Sequence, residues 1–99
     1  MKSYAGLRTI DGLKVTVDGE PLDNRSDVRT FDVAGFEWGY VGDAPKQLAF
    51  ALLCDHLGDD EKAAALTDSF MRRVVAILDN EWQLTSAEIT DALNKDQEN

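Results

Sequence analysis

The sequence is poor in the residues that carry chemistry. It has one cysteine, one histidine and two prolines in 99 residues. With Cys54 alone, an intrachain disulfide is excluded, which fits a reducing compartment. Cys54 and His56 stand two apart in one apolar helical stretch, so their side chains diverge and cannot share a proton. Cys54 reads as a small buried hydrophobe. His56 is expected to pair with Asp59 or Asp60 near the helix end, which would raise its pKa. Long apolar runs are missing too: nothing approaches the roughly 18 residues needed to cross a bilayer. Met1-Lys2-Ser3-Tyr4-Ala5-Gly6 lacks the core of a secretory signal, so the expected location is cytoplasmic.

Positive charge is the other shortage. Ten Lys/Arg face 19 Asp/Glu, a net charge of -9. Free nucleic acid and anionic membranes are therefore poor partners. The one adjacent basic pair, Arg72 and Arg73, has no interleaved aromatics, and Arg72 lies at ion-pair spacing from Asp68. Gly39-Tyr40-Val41-Gly42-Asp43 precedes a helix but lacks a Walker lysine and the dinucleotide glycine spacing, and Asp43 would repel a phosphate. Asp55, His56, Asp59 and Asp60 crowd a glycine break, yet match no calcium or zinc pattern and fit ordinary acids at helix ends. No cofactor, metal or catalytic residue is expected, and the chain reads as a non-enzyme.

What is present suits a single domain over residues 1–99, with one modest core from a 43% hydrophobic composition. Tyr4 to Thr9 reads as a strand, and Asp11-Gly12 as a hairpin turn. Leu13, Val15 and Val17 alternate on a second strand, which Asp18-Gly19 ends. Pro21 cannot continue it in a central ladder, and residues 23–30 form a polar connection. Phe36, Trp38 and Tyr40 alternate, predicting a third strand with its aromatics facing the core. Asp43 is placed to cap a first helix from about Ala44 to Leu57, with Pro45 in its first turn. Leu48 to Cys54 is apolar without a break, which predicts burial on all sides. Gly58 is the expected left-handed C-cap.

A second helix is predicted from Asp59 or Asp60 to about Leu78, packed antiparallel on the first. Trp82 and Leu84 mark a short fourth strand. Thr85 with Glu88 forms a capping box, flanked by a Leu84–Ile89 staple, and opens a third helix over about 86–95 that frays into Asp96-Gln97-Glu98-Asn99. The fold class is α+β: a small antiparallel sheet of three to four strands packed against three helices.

The acids are uneven. Residues 1–50 carry a net -2 and residues 51–99 a net -7. Asp55, Asp59, Asp60, Glu61, Asp68, Asp79, Glu81, Glu88 and Asp91 are the candidate partner-binding residues. Arrayed on one face they would imitate the phosphates of a duplex and be steered to a basic nucleic-acid-binding protein. The alternative is that the acidity serves only solvation.

Phe36-Glu37-Trp38-Gly39-Tyr40-Val41-Gly42-Asp43-Ala44-Pro45-Lys46-Gln47-Leu48-Ala49 resembles the signature of a small domain family found in bacteria, haloarchaea and mobile elements. Val15–Leu22 and Phe70–Leu84 fit the same pattern, so the likeness spans most of the chain. No activity or catalytic residue travels with it. Ala44 replaces the glycine usual before the proline, which argues against a critical backbone contact there. In size, acidity and mobile-element association the chain is also similar, as a class, to anti-CRISPR proteins. That likeness implies a non-enzymatic inhibitor that occupies the DNA-binding surface of a CRISPR effector subunit. The second reading is a general protein-interaction module, housekeeping or toxin–antitoxin-like, that binds through an apolar patch. Exposed aromatics at 36–40 or Trp82, with scattered acids, would favour it.

Overall fold

Two glycine-containing turns fold the N-terminal strands. In a computed structural model, which describes residues 2–32 and 35–97, β1 (Ser3–Thr9) and β2 (Gly12–Val17) pair antiparallel from Tyr4↔Val17 to Thr9↔Gly12. At the first turn the Thr9 hydroxyl donates to the Gly12 carbonyl at 2.7 Å. At the second, Asp18 (φ 50°) and Gly19 (φ 86°) both take positive φ, as a two-residue hairpin turn of the primed type demands. The chain then returns as a two-residue β3 (Glu20–Pro21). Pro21 pairs with Thr16 at the sheet edge, where its missing N–H costs nothing.

The sheet order is β3-β2-β1-β4, all antiparallel, with β4 formed by Glu81–Thr85. The aromatic segment 36–40 is not a strand, contrary to its alternation. Gly39 turns the chain at φ 87°. The Glu37 amide donates to Ala44 at 3.4 Å and that of Gly39 to Val75 at 3.0 Å, so this backbone bonds to the helical layer instead of the sheet. Trp38 is buried, Phe36 half-buried and Tyr40 exposed.

The predicted burial of Leu48 to Cys54 holds at every position of α1 (Asp43–Leu57), which lies between the sheet and α2 (Asp60–Arg73). Asp43 does not cap α1. Gly42 is the N-cap, without a side-chain bond, and Asp43 is the first helical residue, where its charge still suits the helix dipole. Gly58 closes α1 in the left-handed conformation, its amide donating to Cys54 at 2.9 Å. Asp59 caps α2 by accepting from the Lys62 amide at 3.1 Å.

α2 ends at Arg73, short of the predicted Leu78, and a 3₁₀ turn over Val75–Ile77 follows. The Val75 carbonyl is taken by Gly39, and Val74, Val75 and Ile77 are β-branched, which weakens a helix end. The capping box forms as read: Glu88 accepts from the Thr85 amide at 3.0 Å, and Thr85 Oγ1 from the Glu88 amide at 3.2 Å. It opens α3 (Ser86–Gln97), which buries Ile89 and Leu93. Of the predicted C-terminal fraying, the part at Glu98 and Asn99 lies outside the described residues. No helix among the described residues is long and apolar enough to cross a membrane.

Candidate interaction surface

Arg8 was not singled out by any local pattern, yet it organises one end of the molecule. It follows Tyr4 and Gly6 on the helix-facing side of β1, where strand alternation places every second residue. Its guanidinium donates to Glu37 Oε1, to the Trp38 carbonyl at 2.8 Å and to Asn80 Oδ1 at 3.0 Å. The same group lies 4.7 Å from the centroid of the Trp38 ring, a cation–π contact. Trp38 in turn meets Trp82 edge-on, with centroids 5.7 Å apart. One side chain thus ties β1 to the 37–39 turn and to the segment leading into β4. The Gly39–Val75 bond draws the 3₁₀ turn to the same place.

Large apolar side chains project from these tied segments. Ile10 at the hairpin tip is fully exposed, Tyr40 is 48% exposed and Ile77 75%; Val41 and Leu13 are also open. Exposed acids flank them in the chain: Asp11 beside Ile10, Asp43 near Val41, and Asp79 and Glu81 after Ile77. Exposed apolar side chains and acids thus lie on the same tied segments.

The nine candidate acids fall on four segments: the α1–α2 junction, the middle of α2, the approach to β4, and α3. Asp55 accepts from the Tyr4 hydroxyl at 2.7 Å and from Lys2 Nζ at 3.2 Å. Asp59 and Glu88 cap helices. Asp60 pairs with Arg25 at 2.8 Å, and Asp91 with Lys95 at 3.2 Å. Asp68 holds Lys46 at 3.2 Å and Arg72 at 3.0 Å, the second being the ion pair read from the spacing. Among the described residues none pairs with Glu61, Asp79 or Glu81.

His56 behaves differently from its expectation. Its Nε2 lies 3.0 Å from Thr90 Oγ1 on α3, not against Asp59 or Asp60. Burial outweighs the nearby Asp55 charge and lowers its pKa. Cys54 is buried, as predicted, and burial followed by its hydrogen bond with Asp60 pushes the thiol up to about 11, which leaves it unreactive. Among the described residues no three His, Cys, Asp or Glu side chains gather as a metal site.

Gln47 was also missed. It is fully buried in α1, and its Oε1 accepts from the Phe31 amide at 2.6 Å and the Asp32 amide at 3.3 Å. Its Nε2 donates to the carbonyls of Asn24 at 2.7 Å and Arg29 at 3.1 Å. One amide thus fixes the polar connection onto the helix. The signal available was an uncharged polar residue directly before the unbroken apolar run of α1.

A family pattern matches residues 4–95, from the buried Tyr4 of β1 to the last turns of α3. The chain belongs to DUF6166, a family of unknown function. The DUF6166 match reaches all four strands, all three helices and the Arg8-centred end, so these are parts of one family domain. No curated protein and no solved structure matches the sequence.

Proposed function

We propose that this DUF6166 domain is a non-catalytic protein-interaction module of the cytoplasm that docks a partner through the apolar end built around Arg8. The observation that carries this reading is the exposure of Ile10, Tyr40, Val41 and Ile77 on segments pinned together by Arg8. Pinned apolar groups lose little freedom on docking, so more of their burial is left as affinity. The acids on the same segments select a partner whose apolar contact is flanked by Lys or Arg.

The duplex-mimic reading, with a CRISPR effector subunit as target, draws support from the net charge of -9 and from Glu61, Asp79 and Glu81, which are unpaired among the described residues. Most of its other acids are engaged by neighbouring bases or helix amides. Neutralisation weakens any resemblance to a phosphate array. The apolar end is favoured.

A photo-crosslinking residue placed at position 77 and, separately, at position 94 on α3 tests the module in its native cells. Position 77 should yield one dominant adduct. The purified partner should bind the parent domain and lose at least tenfold with Ile77→Asp or Tyr40→Asp. Equal adducts from both positions, or binding that survives both substitutions but vanishes on reversing Asp59, Asp60 and Glu61, would overturn it in favour of the acidic face.

A further inference from the structure

The two edges of the sheet are not alike. β3 is two residues long and contains Pro21, so that edge offers almost no ladder to extend. β4 is five residues in unbroken register with β1, from Ser3↔Thr85 to Leu7↔Glu81, with no proline, glycine, lysine or bulge. Its outward backbone groups can be assigned. The Ser86 amide donates to the Lys2 carbonyl, and antiparallel ladders point alternate residues to the same neighbour. Leu84 and Trp82 therefore bond toward β1, and Thr85, Gln83 and Glu81 point away. Thr85 confirms the phase, because its amide is taken by Glu88 in the capping box. The amides and carbonyls of Glu81 and Gln83 remain, and among the described residues no strand pairs with them.

A groove of about 450 Å³ adjoins this edge. Leu84, Val74, Ala87 and Ala92 give it apolar walls, charged side chains with Arg73 and Lys95 among them form the rest, and Leu84 is the one residue of β4 that lines it. On the opposite face of β4 stands Glu81, with Asp79 just before it, both exposed and unpaired among the described residues. Strand addition works through such a combination: main-chain bonds to an edge, and a pocket for an alternate side chain.

We propose that β4 receives an extended segment of a partner protein that adds a fifth strand, placing an apolar side chain in the groove beside Leu84 and a Lys or Arg against Glu81. Leu84 and Glu81 are three positions apart and on opposite faces of β4. The added strand accordingly carries its apolar and basic residues three apart. Charge decides the occupant: the uncompensated acids beside the edge favour a basic segment, and the -9 net charge disfavours a second copy of this chain. The proposal concerns the backbone of β4 and shares with the docking end only the acids Asp79 and Glu81, so a variant at Ile77 separates the two.

The test is a titration of the full chain with the peptide acetyl-Thr-Phe-Thr-Val-Lys-Thr-amide, followed by amide chemical shifts and hydrogen exchange. Saturable binding with new protection at the Glu81 and Gln83 amides is expected, and Ile77→Asp should leave it unchanged. Replacing the peptide threonine between phenylalanine and valine by proline, which removes the N–H that faces Gln83, should abolish binding, and replacing lysine by glutamate or phenylalanine by alanine should weaken it at least fivefold. Ala87→Trp, which fills the groove, should do the same to the phenylalanine peptide while the far-ultraviolet circular dichroism stays that of the parent. Equal binding of the proline peptide, or saturation without protection at 81 and 83, would overturn the proposal. So would protection there that grows with protein concentration alone, which would assign the edge to a second copy.

Discussion

The indole of Trp82 sits over Gly6 so closely that a Cβ at position 6 would overlap the ring. The two are directly paired across β1 and β4. Glycine here is a packing requirement, since its φ lies outside the left-handed region. Among the described residues nothing pairs with the buried Trp82 Nε1, so the ring contributes through packing and its edge contact with Trp38. Gly6→Ala must displace either the strand or the indole, and overpacking of this kind costs about 1–3 kcal/mol. We expect the urea midpoint to fall accordingly, with the slope of the transition unchanged.

Gln47 gives a second prediction. Gln47→Leu would leave two amides and two carbonyls of the 24–32 connection without their partner, at a cost of about 2 kcal/mol or more. Hydrogen exchange at Phe31 should accelerate before any change in the strands. Gln47→Glu has a sharper signature. A carboxylate can still accept from Phe31 and Asp32 but cannot donate to Asn24 and Arg29, and its charge would be buried. Its deficit should therefore shrink on acidification toward pH 4, where the protonated group regains a donor. A deficit independent of pH would show that the connection is held by something else.

Local rules carried most of the fold and little of its long-range wiring. Gly58, Asp59 and the Thr85–Glu88 box are decided within four residues, and each ends or starts a helix where the sequence places it. The unbroken apolar run of α1 likewise needs no partner to declare its burial. Tyr40 shows the opposite case. Its alternation with Trp38 has the period of a strand, but strand formation needs a neighbour, and Gly39 is instead drawn to Val75 in the helical layer. Arg8 reaches Asn80 across 72 positions, and Gln47 reaches Asn24 across 23. No spacing rule encodes such pairings. The acids were visible as a count, whereas their engagement by Lys2, Arg25, Lys46 and Lys95 depends on the folded chain.

The capping box separates a structural use of one acid from a partner-binding one. Thr85→Ala removes the oxygen that receives the Glu88 amide and should cost about 1 kcal/mol. Glu88→Gln keeps a carbonyl oxygen able to reach the Thr85 amide, so stability should change by only a few tenths of a kcal/mol. The same substitution should leave affinity for the partner captured at position 77 unchanged. A large loss of affinity with intact stability would return Glu88 to the binding surface.

The pH dependence of stability follows from five side chains. Arg25, then the Cys54 thiol, hold the Asp60 carboxyl below its usual range; Arg72, then Lys46, do so for Asp68. Their contribution is present above the unfolded carboxylate value near 3.9 and is lost as pH falls through the lowered ones. His56, lowered by burial, adds an earlier acid loss: the unfolded chain takes up its proton near pH 6.5 while the fold resists it. On the alkaline side the signs reverse. Burial raises Tyr4, reinforced by its bond to Asp55, and burial with Asp60 raises Cys54 to about 11. Both favour the fold while protonated. Stability should therefore decline above about pH 8.5, where an unfolded thiol ionises, and more steeply above about pH 10, where an unfolded tyrosine does. Urea midpoints from pH 5 to 11 should show a plateau near pH 7 to 8. Cys54→Ala should flatten the first alkaline limb and Tyr4→Phe the second. An alkaline limb that persists unchanged in both variants would place its origin in other groups.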